Sequence, residues 1–292
     1  MNIVGTRKIY FTLSALLVGA SLVALFLWGL NLGIEFTGGS LLEVTYLQER
    51  PANKVIEEKL TELELGEISI QPTDEKGVIL RLPDIDETTH QEVLDKLGRD
   101  QVQEGRFESI GPVIGQEIKE KALWAVILAL VAIIFYIAWA FRKVSKPVAS
   151  WQYGLVSIIA LSHDILIVCG LFAVLGRFYQ VEIGLPFVAA LLTILGYSVN
   201  NTIVIFDRSR ENLLKSSWDD FEEILNTSIL QSVTRCINTA LTTLFVLLAI
   251  FFFGGETIKY FVLALIVGVL IGTYSSIFVA NPLIATWAKR QR

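Results

Sequence analysis

The chain has 292 residues, 53% of them hydrophobic, and a mean hydropathy of +0.58. Several of its apolar runs exceed the roughly 18 residues that suffice to cross a bilayer, so a soluble globular protein is excluded from composition alone. The formal charge of −5 is uneven: residues 31–121 hold 10 Lys+Arg against 20 Asp+Glu, the remainder 14 against 9, which argues against nucleic acid or an anionic lipid surface as a partner of the acidic part.

The first apolar run, Ile9–Leu30, lacks a convincing cleavage site and reads as an uncleaved first span of a multi-pass membrane protein rather than a signal peptide. Residues 31–121 then read as a small α+β domain. "LLEVTYL" (Leu41–Leu47) alternates like a strand, and "ANKVIEEKLTEL" (Ala52–Leu63) carries Val55, Ile56, Leu60 and Leu63 at helical spacing. "EISIQP" and "GVILRLP" are short strands about the turn "TDEKG". "DETTHQEVLDKLG" is a second helix with Asp86 as N-cap and Gly98 as stop, and "RFESIG" is a last strand. The order β-α-β-β-α-β is the ferredoxin-like pattern, a fold that by itself fixes no function. His90 reads as a solvated residue of the second helix. Two glycine-bearing stretches bracket the domain, "NLGIEFTGGS" (Asn31–Ser40) and "IGPVIGQE" (Ile110–Glu117), and both suit connectors between strand and helix.

Residues 122–292 supply five more spans: Leu123–Phe141, Tyr153–Leu175, Ile183–Phe206, Ile237–Phe253 and Tyr260–Ile284. Twelve basic residues (Arg7, Lys8, Arg142, Lys143, Lys146, Arg208, Arg210, Lys215, Arg235, Lys289, Arg290 and Arg292) fall on one side of these spans. Only Arg177 and Lys259 fall in the short loops of the other. The positive-inside rule then places both termini in the cytoplasm and residues 31–121 outside. Cys169 and Cys236 both fall in or beside spans, and residues 31–121 hold no cysteine, so the outer domain is expected to fold without a disulfide. No P-loop, G-x-G-x-x-G or H-E-x-x-H occurs. No nucleotide, metal or cofactor site and no catalytic residue is assigned, and the chain is expected not to be an enzyme.

Polar residues within the spans carry the functional signal. "SHD" places Ser162, His163 and Asp164 near the middle of the third span. "GYSVNNTIVIFDR" places Ser198, Asn200, Asn201 and Thr202 in the fourth, with Asp207 and Arg208 at its end. "SVTRCINTALTT" puts Arg235, Asn238, Thr239 and Thr242 on one helical face. An ionised side chain at the centre of a membrane helix costs about 2.5–3.5 kcal/mol on insertion scales, so such residues face a partner, the bundle interior or water. Interhelical hydrogen bonds of Asn, Ser and Thr average about 0.6 kcal/mol, and Ser198, Thr202, Thr242 and Thr243 fit that role of simple glue. Asp207 and Arg208 suit a hydrated boundary as well as an ion path. His163, Asp164 and Arg235 are harder to explain as packing. Gly268, Gly272, Ser275 and Ser276 in the last span fit close helix contact.

"GLNLGIEFTGG", "ESIGPVIGQEI", "SHDILIV", "GYSVNNTIVIFDRSREN" and "SVTRCINTALTT" occur in this order along nearly the whole chain. Together they resemble the SecF family, the smaller membrane subunits of the bacterial SecD–SecF accessory complex of the protein-export translocase. The resemblance implies the resistance-nodulation-division superfamily and the bacterial cytoplasmic membrane. It implies a SecD partner completing twelve spans, and contacts with a SecYEG-type channel, the translocating preprotein and membrane lipids. It also implies use of the proton gradient, or sodium in some relatives, to assist export. In the family pattern the fourth span reads N-D-T, with an acid where Asn201 stands here; that acid and the arginine matching Arg235 are implicated in ion movement. A neutral amide cannot take up and release a proton. Three arrangements could replace it: Asp164 or Asp207 carries the proton, SecD supplies the carboxylate while Asn201 orients water beside Arg235, or the ion is sodium. Ion-path candidates are therefore His163, Asp164, Asn200, Asn201, Asp207 and Arg235. A purely structural subunit and half of a small-molecule or lipid exporter are the alternatives.

Overall fold

A computed structural model describes residues 2–73, 75–140, 148–215 and 221–290. In chain order the elements are α1 (Arg7–Trp28), α2 (Ile34–Thr37), β1 (Gly39–Tyr46), α3 (Asn53–Thr61), β2 (Ser69–Pro72), β3 (Gly77–Leu82), α4 (Glu87–Leu97) and β4 (Val102–Ile110). There follow α5 (Pro112–Ala140), α6 (Ser150–Tyr179), α7 (Leu185–Lys215), α8 (Phe221–Phe253), α9 (Glu256–Ser275), a π-helical turn (Ser276–Ala280) and α10 (Asn281–Arg290). Two compact units result, one of residues 1–31 with 124–292, the other of residues 32–123.

Residues 32–123 form a four-stranded antiparallel sheet in the order β2-β3-β1-β4, which is what the β-α-β-β-α-β reading predicts. Alternation along β1 sends Leu42, Val44 and Tyr46 to one face, where Val78, Leu80 and Leu82 of β3 join them. Ile56 and Leu60 of α3 and Val93, Leu94 and Leu97 of α4 close that core. Val55, predicted to share it, is 43% exposed: helical spacing puts it next to the buried stripe without turning it inward. The oxygen of Asp86 accepts from the Thr89 backbone N–H at 2.9 Å, and Gly98 ends α4 at φ +95°, so both ends lie where the sequence puts them. His90 is not solvated but 3% exposed, stacked on Phe107 at 3.8 Å, with its two ring nitrogens 3.3 Å from Glu87 and Glu104. The ring is flat enough to complete the apolar core while its edge keeps polar neighbours.

The two glycine stretches meet. Gly38 adopts φ +76°, and a Cβ there would lie 2.7 Å from Cα of Pro112; a Cβ on Gly115 would lie 2.9 Å from the nitrogen of Gly38. Gly39, at φ +120°, leaves no room against the Leu82 carbonyl. Backbone therefore touches backbone, which only glycine permits.

Six helical stretches of the described residues are long and apolar enough to cross a membrane, the sixth running from α9 through the π turn into α10. The helices outlast the apolar runs: α5 starts 11 residues before Leu123, and α8 starts 16 before Ile237. Hydropathy marks only the lipid-matched part of a helix; the added start of α8 packs inward through Phe221, Leu225 and Ile229, whereas Val113 and Ile114 at the start of α5 are exposed. Phe141, Arg142, Lys143, Lys146 and Arg292 lie outside the described residues. α6 and the α9–α10 span are the most enclosed and α5 the least. Arg7 (3.0 Å) and Lys289 (3.9 Å) both reach Glu222 at the start of α8. The beginning of the first span and the end of the sixth therefore lie at one end of the bundle, as an even number of spans requires.

Candidate functional site

The centre of the helical unit holds one tightly knit polar cluster. Small residues make it possible: a Cβ on Gly268 would lie 2.2 Å from Ile194, and one on Gly272 would lie 2.9 Å from Ser198. α9 thus sits close enough to α7 for short side chains to bond across the gap. Asp164, entirely buried on α6, lies against this contact. Its Oδ2 accepts from the Ser198 hydroxyl of α7 at 2.5 Å and from the Ser275 hydroxyl of α9 at 2.8 Å. Its Oδ1 is 2.9 Å from Nδ1 of His163. Nε2 of His163 is buried and has no hydrogen-bond partner among the described residues. The ring lies beside Tyr274, centroids 6.3 Å apart, whose hydroxyl donates to the carbonyl of Tyr10 at 3.0 Å and lies 3.2 Å from Ser14 Oγ on α1.

One turn along, Thr202 and Ser276 pair at 2.9 Å, and the Ser276 hydroxyl is 2.8 Å from the carbonyl of Gly272. Asn281 Nδ2 donates to the Ser276 carbonyl at 2.7 Å. The widened π turn thus begins at the residue following Ser275, directly beside Asp164. Asn201 is also buried, but its side-chain bond is a long 3.5 Å contact to Thr273; among the described residues it has no hydrogen bond to Arg235.

The other predicted residues lie apart from this cluster. Asn200 is exposed. Asp207 is exposed and paired with Arg210 at 3.6 Å. Arg208 binds Gln231 at 2.6 Å and Glu211 at 2.7 Å, which joins the loop-side ends of α7 and α8. Arg235 is exposed, with no ion pair among the described residues, and Asn238 and Thr242 are exposed on the same face. The hydroxyls of Thr242 and Thr243 bond to carbonyls of their own helix and so are not interhelical glue. The contacts Arg208–Gln231 and Asn212–Ser228 set the antiparallel register of α7 and α8. Continued along the pair, that register brings Asn238 level with Asn201. Asn200 on α7 and Arg235, Asn238 and Thr242 on α8 are thus exposed polar residues, alongside the exposed apolar Ile237, Leu241 and Phe245 of α8.

Sequence reasoning treated Ser198 as glue and Ser275 as packing. The signal that could have promoted them is the stripe Gly268, Gly272, Ser275, Ser276 itself, because a helix that packs this tightly brings its serines against whatever the third span buries.

Six membrane-length helices, one α+β unit inserted after the first of them and a polar core joining three spans define the class: a multi-pass membrane protein with a buried polar centre. The model for the C-terminal part of protein export membrane proteins SecD/SecF matches residues 89–290, and that for the SecD/SecF GG motif matches residues 23–46, which contain Gly38–Gly39. Over 99% of its length the chain is 41% identical to protein translocase subunit SecF of Thermobaculum terrenum, covering 95% of that protein. Identity to SecF of Anaerolinea thermophila is 38%, over 98% and 94% of the two chains. The crystal structure of SecDF, a translocon-associated membrane protein from Thermus thermophilus, superposes with a TM-score of 0.86 at 33% identity over all of this chain. This chain spans 39% of that longer one. The chain belongs to the SecF family of protein translocase subunits and is a multi-pass membrane protein of protein transport.

Proposed function

We propose that this chain works as a transport subunit, not an enzyme, that pairs with SecD and uses an ion gradient to assist protein export through a SecYEG-type channel. The exposed Asn200, Arg235 and Asn238 carry the reading. Lipid satisfies none of these groups, and a cation such as Arg235 beside apolar helix surface needs an anion, carbonyls or water. A partner bundle presenting its own polar face would supply them. The Thermus SecDF chain is more than twice the length this chain covers, and the part left uncovered is where such a partner bundle would come from. In this reading the membrane is the bacterial cytoplasmic one, both termini face the cytoplasm, residues 31–121 face outward, and the preprotein is handled on that outer side. In this reading the missing acid at position 201 leaves three arrangements: Asp164 or Asp207 carries the proton, SecD supplies the carboxylate, or the ion is sodium, which amide and carbonyl oxygens can hold.

The test is export of a secreted reporter, with and without a proton-motive force, in cells that depend on this chain and SecD. We expect co-purification with SecD, and Arg235→Met to remove the gradient-dependent part of export. A chain that is a stable monomer indifferent to SecD would refute the pairing. Full gradient-dependent export from Arg235→Met would leave a purely structural subunit as the better account, and independent extrusion of drugs or lipids would point to an exporter.

A further inference from the structure

We propose that His163 and Asp164 form a proton-holding pair, in which the proton binds at Nε2 of His163 and the Asp164 carboxylate, clamped by α7 and α9, balances the charge it brings. The proposal rests on the gradient-driven reading above and places within this chain the group that position 201 lacks.

Three groups converge on the two oxygens of Asp164: the Ser198 and Ser275 hydroxyls, which donate, and Nδ1 of His163, which donates in the tautomer that carries its hydrogen there. A carboxylate accepts all three at once. With Nδ1–H directed at Oδ1, the neutral imidazole keeps its lone pair on Nε2, because the bond made by one ring nitrogen sets the role of the other. Nε2 is buried with no partner among the described residues, and an orphaned buried polar atom calls for an explanation. A proton taken up there forms one N–H bond and breaks none within the protein. The pair passes from net −1 to net zero, and release returns it.

No neighbouring element competes for this role. From α9 the facing titratable group is Tyr274, and from α1 it is Tyr10, whose carbonyl Tyr274 binds. On α7 the titratable residue nearest Ser198 in sequence is Tyr197. All are phenols. α10 and the π turn offer neutral Asn281 and Ser276, and Lys289 is engaged at Glu222. Among the described residues no Lys or Arg forms an ion pair with Asp164. His163 and Asp164 are thus the residues of the cluster whose charge can change.

The same geometry supplies a mechanical consequence. Ser198 and Ser275 hold one oxygen from two different helices, and the π turn starts at the next residue, Ser276. Interruptions of this kind recur at functional sites. Neutralising the pair alters the pull of Asp164 on both serines, so proton uptake acts on the α7–α9 contact.

The chain has two histidines, His90 and His163, which makes the test direct. Full-length protein labelled with 15N-histidine, bound to SecD in lipid nanodiscs, is observed by NMR across pH, with His163 assigned by difference from His163→Gln. We expect Nε2 of His163 to gain and lose a proton reversibly, with the step displaced in Asp164→Asn and unmoved in Ser162→Ala. A His163 ring whose protonation never changes over the range in which export responds to the gradient would overturn the proposal. In cells, His163→Gln and Asp164→Asn are expected to lose all gradient stimulation of export while still co-purifying with SecD. If wild-type export ignores the gradient, the gradient-driven reading fails. If wild-type export responds and both variants respond equally, the proton pair fails and the broader reading stands.

Discussion

Replacing Gly38 by alanine tests why paired glycines sit where the α+β unit begins. Gly38 holds φ +76° and ψ 168°, a region essentially closed to residues with a Cβ, at a cost of about 1–3 kcal/mol. The added Cβ would also lie 2.7 Å from Cα and 2.9 Å from N of Pro112, against 3.4–4 Å for an ordinary contact. Backbone cannot rotate away as a side-chain tip can, so this overpacking adds about 1–3 kcal/mol. The combined loss, about 2–6 kcal/mol, approaches the whole stability expected of a domain this size, about 5–15 kcal/mol or less. Gly66 provides the control: it too has positive φ, +90°, but its nearest neighbour would be Pro83 Cγ at 3.6 Å. Gly66→Ala should therefore cost the strain alone. Amide hydrogen exchange of β1 and β3 in the full-length protein measures the opening free energy of this core. We expect Gly38→Ala to lose about 1–3 kcal/mol more protection than Gly66→Ala. Equal losses would show that the contact with Pro112 yields freely and that backbone conformation alone explains the motif.

The start of α4 should respond to acid. Hydrogen bonds from the backbone and side chain of Thr89 hold the Asp86 carboxyl below its ordinary 3.8, and the Gln91 side chain, then His90, hold Glu87 below 4.5. A depressed folded value means the stabilisation is complete above the unfolded value and is lost as pH falls through the folded one, so α4 should loosen below about pH 4. Asp86→Asn keeps a good cap but cannot titrate, and amide exchange of α4 should show a shallower acid response; superimposable pH profiles would contradict this. In the helical unit, Gly268→Ala drives a Cβ to 2.2 Å from buried Ile194 and should lower stability by about 1–3 kcal/mol. Thermal unfolding in detergent measures the loss, and Ile194→Ala in the same chain should recover part of it; a double variant no better than the sum of the singles would reject the contact.

The sequence by itself determined what depends on local pattern. Run length and hydropathy located six spans. Period-two alternation, helical spacing and capping residues located the β-α-β-β-α-β order, down to Asp86 and Gly98 as the ends of one helix. The motif order was specific enough to indicate the family. Tertiary structure decided what depends on which faces meet. Helical spacing could not tell that Val55 turns out while Ile56 turns in, or that His90 lies flat on Phe107. Nor could it separate Asn200 from Asn201: they are adjacent in sequence, yet about 100° apart around a helix, and one is exposed while the other is buried. The Asp164 cluster joins residues 34 and 111 positions apart, brought together because glycines on α9 let it approach α7 closely. A serine on such a helix has the same local signature whether it fills space or holds a carboxylate, and only the packing of a third helix against the pair distinguishes the two.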